Sequence, residues 1–568
     1  MTLRGTLRAR RATSVSVNSA SSRAALVGAL VAALATLPGL GAGTLWDNSE
    51  TAYGEVAREI GISGSWIVMH LNGAPWFVQP PLYFWIAAIF AKLFGSNEFA
   101  FRLPSALASI AMAAAVGYVV ARLTTERAAI LSATVLSTAL MQAVLGRLAI
   151  MDALLDLAVA VAILSWFGAV RTGGRRWWYG GCAAVALGTL AKGPVAPALA
   201  LLVIVPWAIW DRAAGRRLRF PAPLDLFGGV VLFGAIVLPW IVALARAAGP
   251  DAFGQLIGHY TVGRYLGTIE NQSGPIWYYV PVLILGFFPW FAFLVPASLE
   301  AWRDARADAN GSLARLALVW AVAPFVFFSL AQTKLPNYIA LELPALAIVV
   351  GVWFDRVADR SDRRAALAWT AVVPVLIVLL ALALAVFSRD NKLTAYLGEV
   401  RPALLALAGT ILAGSIACFG FLRTRTRAWL GPLALAAASV TVMLIIAVVG
   451  IPIVERFKPI PPLAAEIERD RRPGDLVAIQ SVSGGNGLAF YTEPGIVTLV
   501  GPHDPKKTQA TDPRRAICTA TRAFVVTSKK RPRVDPTYGR NRRTIARSNN
   551  DVLFLYDGPG CSVAERPH

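Results

Sequence analysis

Asp152 stands where chemistry is easiest to suspect. The run Gly146-Arg147-Leu148-Ala149-Ile150-Met151-Asp152 closes one apolar stretch and opens the next. An acid within or beside membrane-embedded residues is costly, so it pairs, lines a cavity or takes part in a reaction. Its structural alternatives are an ion pair with Arg147 or a favourable place at a helix N-terminus. A second acidic group lies in Leu45-Trp46-Asp47-Asn48-Ser49-Glu50-Thr51-Ala52-Tyr53-Gly54-Glu55-Val56-Ala57-Arg58-Glu59. Asp47 and Glu50 are close there, and Tyr53 falls on the Glu50 face of a helix starting at that point. The plainer reading is a capping box from Asp47 to Glu50, with Glu55, Arg58 and Glu59 on a solvated face. Cations recur in short turns between apolar runs: Lys192 before Gly193-Pro194, Lys334 before Leu335-Pro336-Asn337-Tyr338, and His259 with Arg264-Tyr265 in a longer loop. Each alone reads as a snorkelling or headgroup-binding cation. Together, carboxylates, cations and aromatics suit a phosphate-bearing lipid and a reaction that needs a carboxylate base.

The elements that must position these residues are membrane helices. Of 568 residues, 56% are apolar and 15% charged, against about a quarter charged in ordinary soluble proteins. That excludes a soluble cytoplasmic enzyme. Thirteen stretches are apolar enough to cross the hydrocarbon: 24–43, 103–121, 128–146, 153–170, 177–191, 194–210, 223–245, 275–298, 313–331, 337–354, 365–387, 402–422 and 428–452. The net charge of +21 does not indicate nucleic acid, because the basic residues sit mostly in short gaps between apolar runs. With the N-terminus inside, alternate loops hold more than twice as many Lys and Arg as their opposites, the bias of cytoplasmic loops. That assignment requires 80–95 not to cross. It is short for a span, and Tyr83, Phe84 and Trp85 suit the headgroup level, so it reads as an interfacial helix on the outer face.

The basic residues 1–23 form a cytoplasmic N-terminus. A cleaved signal peptide ending near Gly39–Gly43 is the alternative to an uncleaved first span. Residues 24–452 form the transmembrane domain, with an outer loop 44–102. From 453 to 568 the pattern changes to an extracytoplasmic soluble α/β domain: a short helix around Glu466–Arg469, then strands Asp475–Ile479, Leu488–Thr492, Ile496–Val500, Ala523–Thr527 and Val552–Tyr556. Cys518 and Cys561 both fall there and could pair in an oxidising space or remain thiols. The four cysteines show no metal-ligand spacing.

At these residues the sequence resembles the polyprenyl-phosphate-dependent glycosyltransferases of the type C fold, in the branch of aminoarabinose transferases and protein O-mannosyltransferases. The stretches that carry the likeness are Glu50 with Tyr53 and Ala57-Arg58-Glu59; Leu71-Asn72-Gly73; Pro80-Pro81-Leu82 with Trp85; Phe101 to Leu107; Arg147 with Asp152; Leu190 to Pro194; Arg264-Tyr265-Leu266; Trp277-Tyr278-Tyr279 with Gly286 to Trp290; and Lys334-Leu335-Pro336 with Tyr338. The resemblance implies thirteen spans, an outer-face cavity and an inner-membrane enzyme that inverts the configuration of the transferred sugar. The implied partners are a polyprenyl-phosphate sugar donor, an acceptor glycolipid of lipid A type (or else a protein), and the bilayer.

It further implies that Glu50 or Asp47, and Asp152, serve in acceptor activation or in binding a divalent metal ion, with Glu50 and Asp152 as the ligands. Lys192 and Arg264 become donor-phosphate contacts, and Tyr53, Arg58, Gln79, Arg147, His259, Tyr265, Lys334 and Tyr338 complete the expected substrate-binding set. Two features depart from the family. Its adjacent Asp-Glu before the tyrosine is Ser49-Glu50 here, and its Glu-Lys before Pro-Pro-Leu is Val78-Gln79. Those losses bear on the metal and on the identity of the sugar. The rival of another class is a lipid or solute transporter. Internal repeats would mark one, and the sequence shows none. A non-catalytic assembly protein is the third reading.

Overall fold

The computed structural model describes residues 3–46, 49–249, 252, 254–267, 272–307, 311–387, 391–424, 426–480, 485–492, 496–499, 520–528, 542–548 and 551–557. Asp47, Cys518 and Cys561 therefore lie outside the described residues, as does the question of a disulfide. The chain divides into two compact units. One comprises Met1–Leu40, Phe77–Tyr83 and Arg102–Gly450; the other comprises Gly41–Trp76, Phe84–Phe101 and Ile451–His568.

The first unit is helical, and the protein is a multi-pass membrane protein. Among the described residues of the chain, nine helices are long and apolar enough to cross a bilayer. A tenth candidate is the pair Tyr279–Gly286 and Trp290–Arg306, bent by 106°. The other three apolar stretches expected to cross are helical as well. One is broken at Ala139 into Glu126–Thr138 and Leu140–Leu145, one is Arg175–Lys192, and one is covered by Arg364–Thr370 and Val372–Phe387. The span Asn18–Thr36 is the later part of a longer helix, Leu3–Thr36. It packs closely on Glu126–Thr138. A Cβ on Gly28 would lie 2.7 Å from that of Ala133, and the Ser137 hydroxyl donates to the Gly28 carbonyl at 3.3 Å.

One end of this unit is tied by a buried cluster. Arg315, with no exposure, donates to Asp211 at 2.7 Å and to the Ala305 carbonyl at 2.8 Å, while the Ser312 hydroxyl donates to Asp211 at 2.9 Å. The last turn of the span Val195–Ala213 is thereby joined to the first turn of the span Ser312–Leu330.

In the second unit most of the loop 44–102, residues 41–76 and 84–101, is grouped with residues 451–568 rather than with the spans. The loop supplies the helix Glu50–Ser63 and a two-residue hairpin, β1 (His70–Leu71) with β2 (Ala74–Pro75). Its turn is Asn72-Gly73, both at positive φ (54° and 76°), the conformation that makes Asn-Gly a favoured hairpin turn. The expected interfacial segment is the helix Leu82–Phe94, thirteen residues, short of a span.

The C-terminal part is a five-stranded mixed sheet. With β3 (Leu476–Gln480), β4 (Ile496–Leu499), β5 (Arg522–Ser528), β6 (Arg542–Ser548) and β7 (Asp551–Asp557), the order is β4-β3-β5-β7-β6. Strand β3 runs parallel to β4 and β5, while β7 is antiparallel to β5 and β6. The helix Ile460–Asp470 covers one face with Ile460, Leu463, Ala464 and Ile467. Two expectations are corrected. Leu488–Thr492 is not a strand but most of a helix, Gly485–Tyr491. Its apolar residues are consecutive rather than alternating, and Leu488 and Ala489 both enter the core. Strand β6 went unforeseen because Arg542, Arg543 and Arg547 hide its pattern. It lies at the sheet edge, where charge blocks further pairing.

Candidate active site

Asp152 is the first residue of the helix Asp152–Thr172. The turn before it is held by the Ser105 hydroxyl, which donates to the Ile150 carbonyl at 2.8 Å. Of the two structural alternatives, Asp152 does take a helix N-terminus, and the ion pair with Arg147 is not made. Arg147 instead donates to the carbonyls of Ala35 and Thr36, each at 3.1 Å, and of Pro38 at 2.5 Å. A cation there satisfies the unpaired carbonyls at the end of the first helix and complements its dipole.

The partner of Asp152 comes from further along the chain. Lys192 ends the helix Arg175–Lys192, and the chain turns at Gly193, where φ of 81° admits glycine readily. That turn delivers the Lys192 Nζ to 2.5 Å from Oδ1 of Asp152. The same oxygen accepts from the Asn337 side chain at 2.6 Å. Both members of the ion pair are largely buried, at 15% and 8% side-chain exposure. The Lys192 ammonium also lies 5.1 Å from the centre of the Tyr338 ring, within cation–π range. Asp152, Lys192 and Tyr338 are thus brought together as one cluster, and Asn337 is the member that sequence reasoning missed. Its signal was adjacency: Pro336 constrains Leu335 to extended backbone and starts a 3-10 turn that carries Asn337 and Tyr338 side by side.

From Tyr338 a chain of rings runs through Phe328 (5.0 Å between centroids) and Phe327 (5.2 Å) to Tyr265 (4.7 Å, stacked). Backbone bonds hold the two loops beside it. Gln332 donates to the Tyr265 carbonyl at 3.1 Å and Lys334 to that of Gln272 at 2.8 Å, while the Thr333 hydroxyl reaches Gly267 at 2.8 Å. The Lys334 ammonium is buried and donates to the carbonyls of Ser329 (2.8 Å) and Ala331 (2.6 Å) at the end of the helix Ser312–Leu330. Burial lowers its pKa from the ordinary lysine value. His259 and Arg264 fall in the helical segments Gly254–Gly263 and Arg264–Leu266, and their side chains lie outside the described residues. Gln79 is buried. One turn beyond Asp152, Asp156 is buried too, and among the described residues its Oδ2 has no hydrogen-bond partner.

In the other unit, Glu50 opens the helix Glu50–Ser63 and is 1% exposed. Its Oε2 accepts from the Trp46 backbone N–H at 2.9 Å. Ser49, not Asp47, occupies the N-cap position, and it makes no side-chain cap bond, so the capping-box reading falls. Tyr53 packs edge-on to Trp76 and Phe84 at 6.1 and 5.7 Å. The solvated face expected from Glu55 and Arg58 is in fact covered. Glu55 is 1% exposed, accepts two bonds from Arg58 at 2.8 Å, and Arg58 donates onward to the Ala489 carbonyl at 3.1 Å. The covering element is the helix Gly485–Tyr491, whose Phe490 ring lies beneath the Arg58 guanidinium. Burial pushes the Glu55 carboxyl above its ordinary pKa, against the pull of Arg58.

Among the described residues no group of three His, Cys, Asp or Glu side chains is placed to hold a metal ion. The oxygen Asp152 would offer already accepts from an ammonium and an amide. The described residues form no metal centre, Asp47 and the His259 side chain lying outside them, and no step is assigned to a metal ion.

Comparison with known proteins agrees with this architecture. Residues 78–242 match the dolichyl-phosphate-mannose-protein mannosyltransferase family. The undecaprenyl phosphate-alpha-4-amino-4-deoxy-L-arabinose arabinosyl transferase of Erwinia tasmaniensis is 34% identical over 349 residues, 60% of this chain and 61% of that protein. The transferase of the same name from Aeromonas hydrophila is 30% identical over 393 residues, 68% of this chain and 70% of that protein. The chain belongs to this family. It spans about three fifths of the Erwinia relative's length, 61%. The crystal structure of ArnT from Cupriavidus metallidurans bound to undecaprenyl phosphate superposes with a TM-score of 0.78 at 24% identity, covering 93% of this chain and 97% of that one. That likeness shows the fold, the type C glycosyltransferase architecture.

Proposed function

We propose that the protein transfers a sugar from an undecaprenyl-phosphate donor to a hydroxyl or phosphate of a lipid A-type glycolipid, on the outer face of the inner membrane. The observation that carries this reading is the buried Asp152–Lys192–Asn337 cluster in a membrane unit of this family. The acceptor oxygen attacks the anomeric carbon from the face opposite the phosphate. The new oxygen–carbon bond forms as the carbon–oxygen bond to phosphate breaks, and the configuration inverts. The acceptor proton passes to a carboxylate: Asp152 is offered by the cluster, Glu50 by the family resemblance. Negative charge grows on the departing undecaprenyl phosphate, and a cation held in a dry site, Lys192, offsets it; one such preorganised interaction is worth about 3–4 kcal/mol.

The one-sided distribution of Lys and Arg supports the orientation, with the C-terminal part extracytoplasmic. A protein acceptor is the second reading, favoured by the mannosyltransferase match over residues 78–242. The test is reconstitution of the full chain in vesicles with undecaprenyl phosphate-aminoarabinose and lipid A, read by mass spectrometry. Transfer to lipid A is expected, with a loss of at least about 100-fold on replacing the carboxylate that serves as base. Absence of a modified lipid, with modified envelope proteins in cells carrying the chain, would transfer the assignment to the second reading.

A further inference from the structure

Glu50 is held through its backbone neighbour Trp46, and the segment bearing Trp46 is held almost entirely by residues some 400 positions later. The Tyr491 hydroxyl accepts from the Leu45 backbone N–H at 2.6 Å and donates to the Glu98 carboxylate at 2.9 Å. The next N–H along, that of Trp46, donates to the Glu50 carboxylate. On the other side, Lys458 donates to the Thr44 carbonyl at 2.6 Å and lies 4.4 Å from the centre of the Trp46 ring, while Glu455 accepts from the Thr44 hydroxyl at 2.7 Å. Three consecutive residues, Thr44 to Trp46, are thus clamped from both sides. Leu45 is 2% exposed, so its N–H depends on the protein for a partner.

The helix Gly485–Tyr491 also presses on the Glu50 helix directly. Gly54 leaves no room there: a Cβ would meet Leu45 at 2.8 Å and Phe490 at 3.0 Å. Arg58, one turn further, bonds the Ala489 carbonyl.

We infer that Tyr491 is a positioning residue for Glu50. Its hydroxyl fixes the Leu45–Trp46 backbone, so that the Trp46 N–H holds one carboxylate oxygen of Glu50 in place. By this account the C-terminal part of the chain supports Glu50 within the second unit and is not an appended module. The inference rests on the reading of Glu50 as a carboxylate that takes the acceptor proton.

The experiment uses the full-length protein with Tyr491→Phe, which keeps the ring against Phe490 and removes only the hydroxyl. Two quantities are read: hydrogen–deuterium exchange of a peptide spanning 44–50, and the kcat and KM of transfer from undecaprenyl phosphate-aminoarabinose. Exchange of that peptide is expected to speed up about tenfold, with peptides from Asp152–Thr172 unchanged; kcat falls by about tenfold at constant donor KM, the worth of roughly one hydrogen bond. Unchanged exchange at 44–50 overturns the inference, as does faster exchange with kcat retained in an active enzyme. A wild type that makes no product overturns the functional reading instead, and the exchange alone then decides whether Tyr491 holds the segment. Should Tyr491→Phe fail to fold, Glu98→Ala, which removes the acceptor of the hydroxyl, must show the same two changes in smaller measure or the inference fails.

Discussion

Removing Lys192 should damage the protein more than removing both Lys192 and the charge of Asp152. At the 2.5 Å separation of Nζ and Oδ1, an effective dielectric of about 20 gives a gross attraction of about 7 kcal/mol. Desolvating two ions that are 15% and 8% exposed consumes most of it, so the pair is worth little net. Breaking it is another matter: a lone buried charge costs about 3–5 kcal/mol. Lys192→Met leaves Asp152 with the Asn337 amide and no counter-charge. Asp152→Asn leaves the lysine facing the Tyr338 ring, a milder loss because the ring stabilises a cation. In the double variant no charge is buried, and its destabilisation should fall below that of Lys192→Met alone. The interaction term of the cycle is then at least about 2 kcal/mol, well beyond the additivity of independent sites. Thermal unfolding of the four proteins in detergent gives the order: wild type highest, Lys192→Met lowest, the double variant between. A double variant that melts lowest of all, with shifts that simply add, would refute the claim that the pair is a buried, mutually compensating unit.

Two further substitutions test the assignments around this cluster. Arg147→Ala strips three carbonyls at the end of the first helix of their donor; stability should fall by about 3 kcal/mol, seen as a lower Tm, whereas a large loss of turnover at unchanged Tm would return Arg147 to substrate binding. The Glu55 carboxyl titrates above its unfolded value, so its contribution to stability is complete below that value and is lost as pH rises through the raised one. Arg58→Met removes the guanidinium that opposes the rise, so Tm should drop more steeply between pH 5 and pH 8 than in the wild type; parallel curves would contradict the buried pairing of Glu55 with Arg58.

Asp152 was legible because its cost is local: an acid where one apolar run meets the next needs a reason wherever the other helices lie. Which cation supplies that reason was not legible. Arg147 is five positions away and looked the natural partner, yet Lys192, at a separation of 40, and Asn337, at 185, are what reach Asp152. The choice depends on how helix ends meet, and the end of Leu3–Thr36 takes Arg147 out of contention. The loop 44–102 misled in the opposite direction. Glu55, Arg58 and Glu59 have the spacing of a solvated face, and only the helix Gly485–Tyr491 turns part of that face into an interior. Ser49 and Val78-Gln79 were visible as departures from the family.

What the amino-acid order determined alone was membership of the bilayer. Apolar length and the sidedness of arginine act residue by residue against a uniform solvent, so helices, turns and an orientation bias can be read without knowing any contact. What only the tertiary structure decided was pairing. A buried charge is stabilised within a few ångströms or not at all, and distances of that order between residues 40 to 450 positions apart are set by packing. Hence Lys192 beneath Asp152, Arg147 at the end of the first helix, and Tyr491 behind the backbone that holds Glu50.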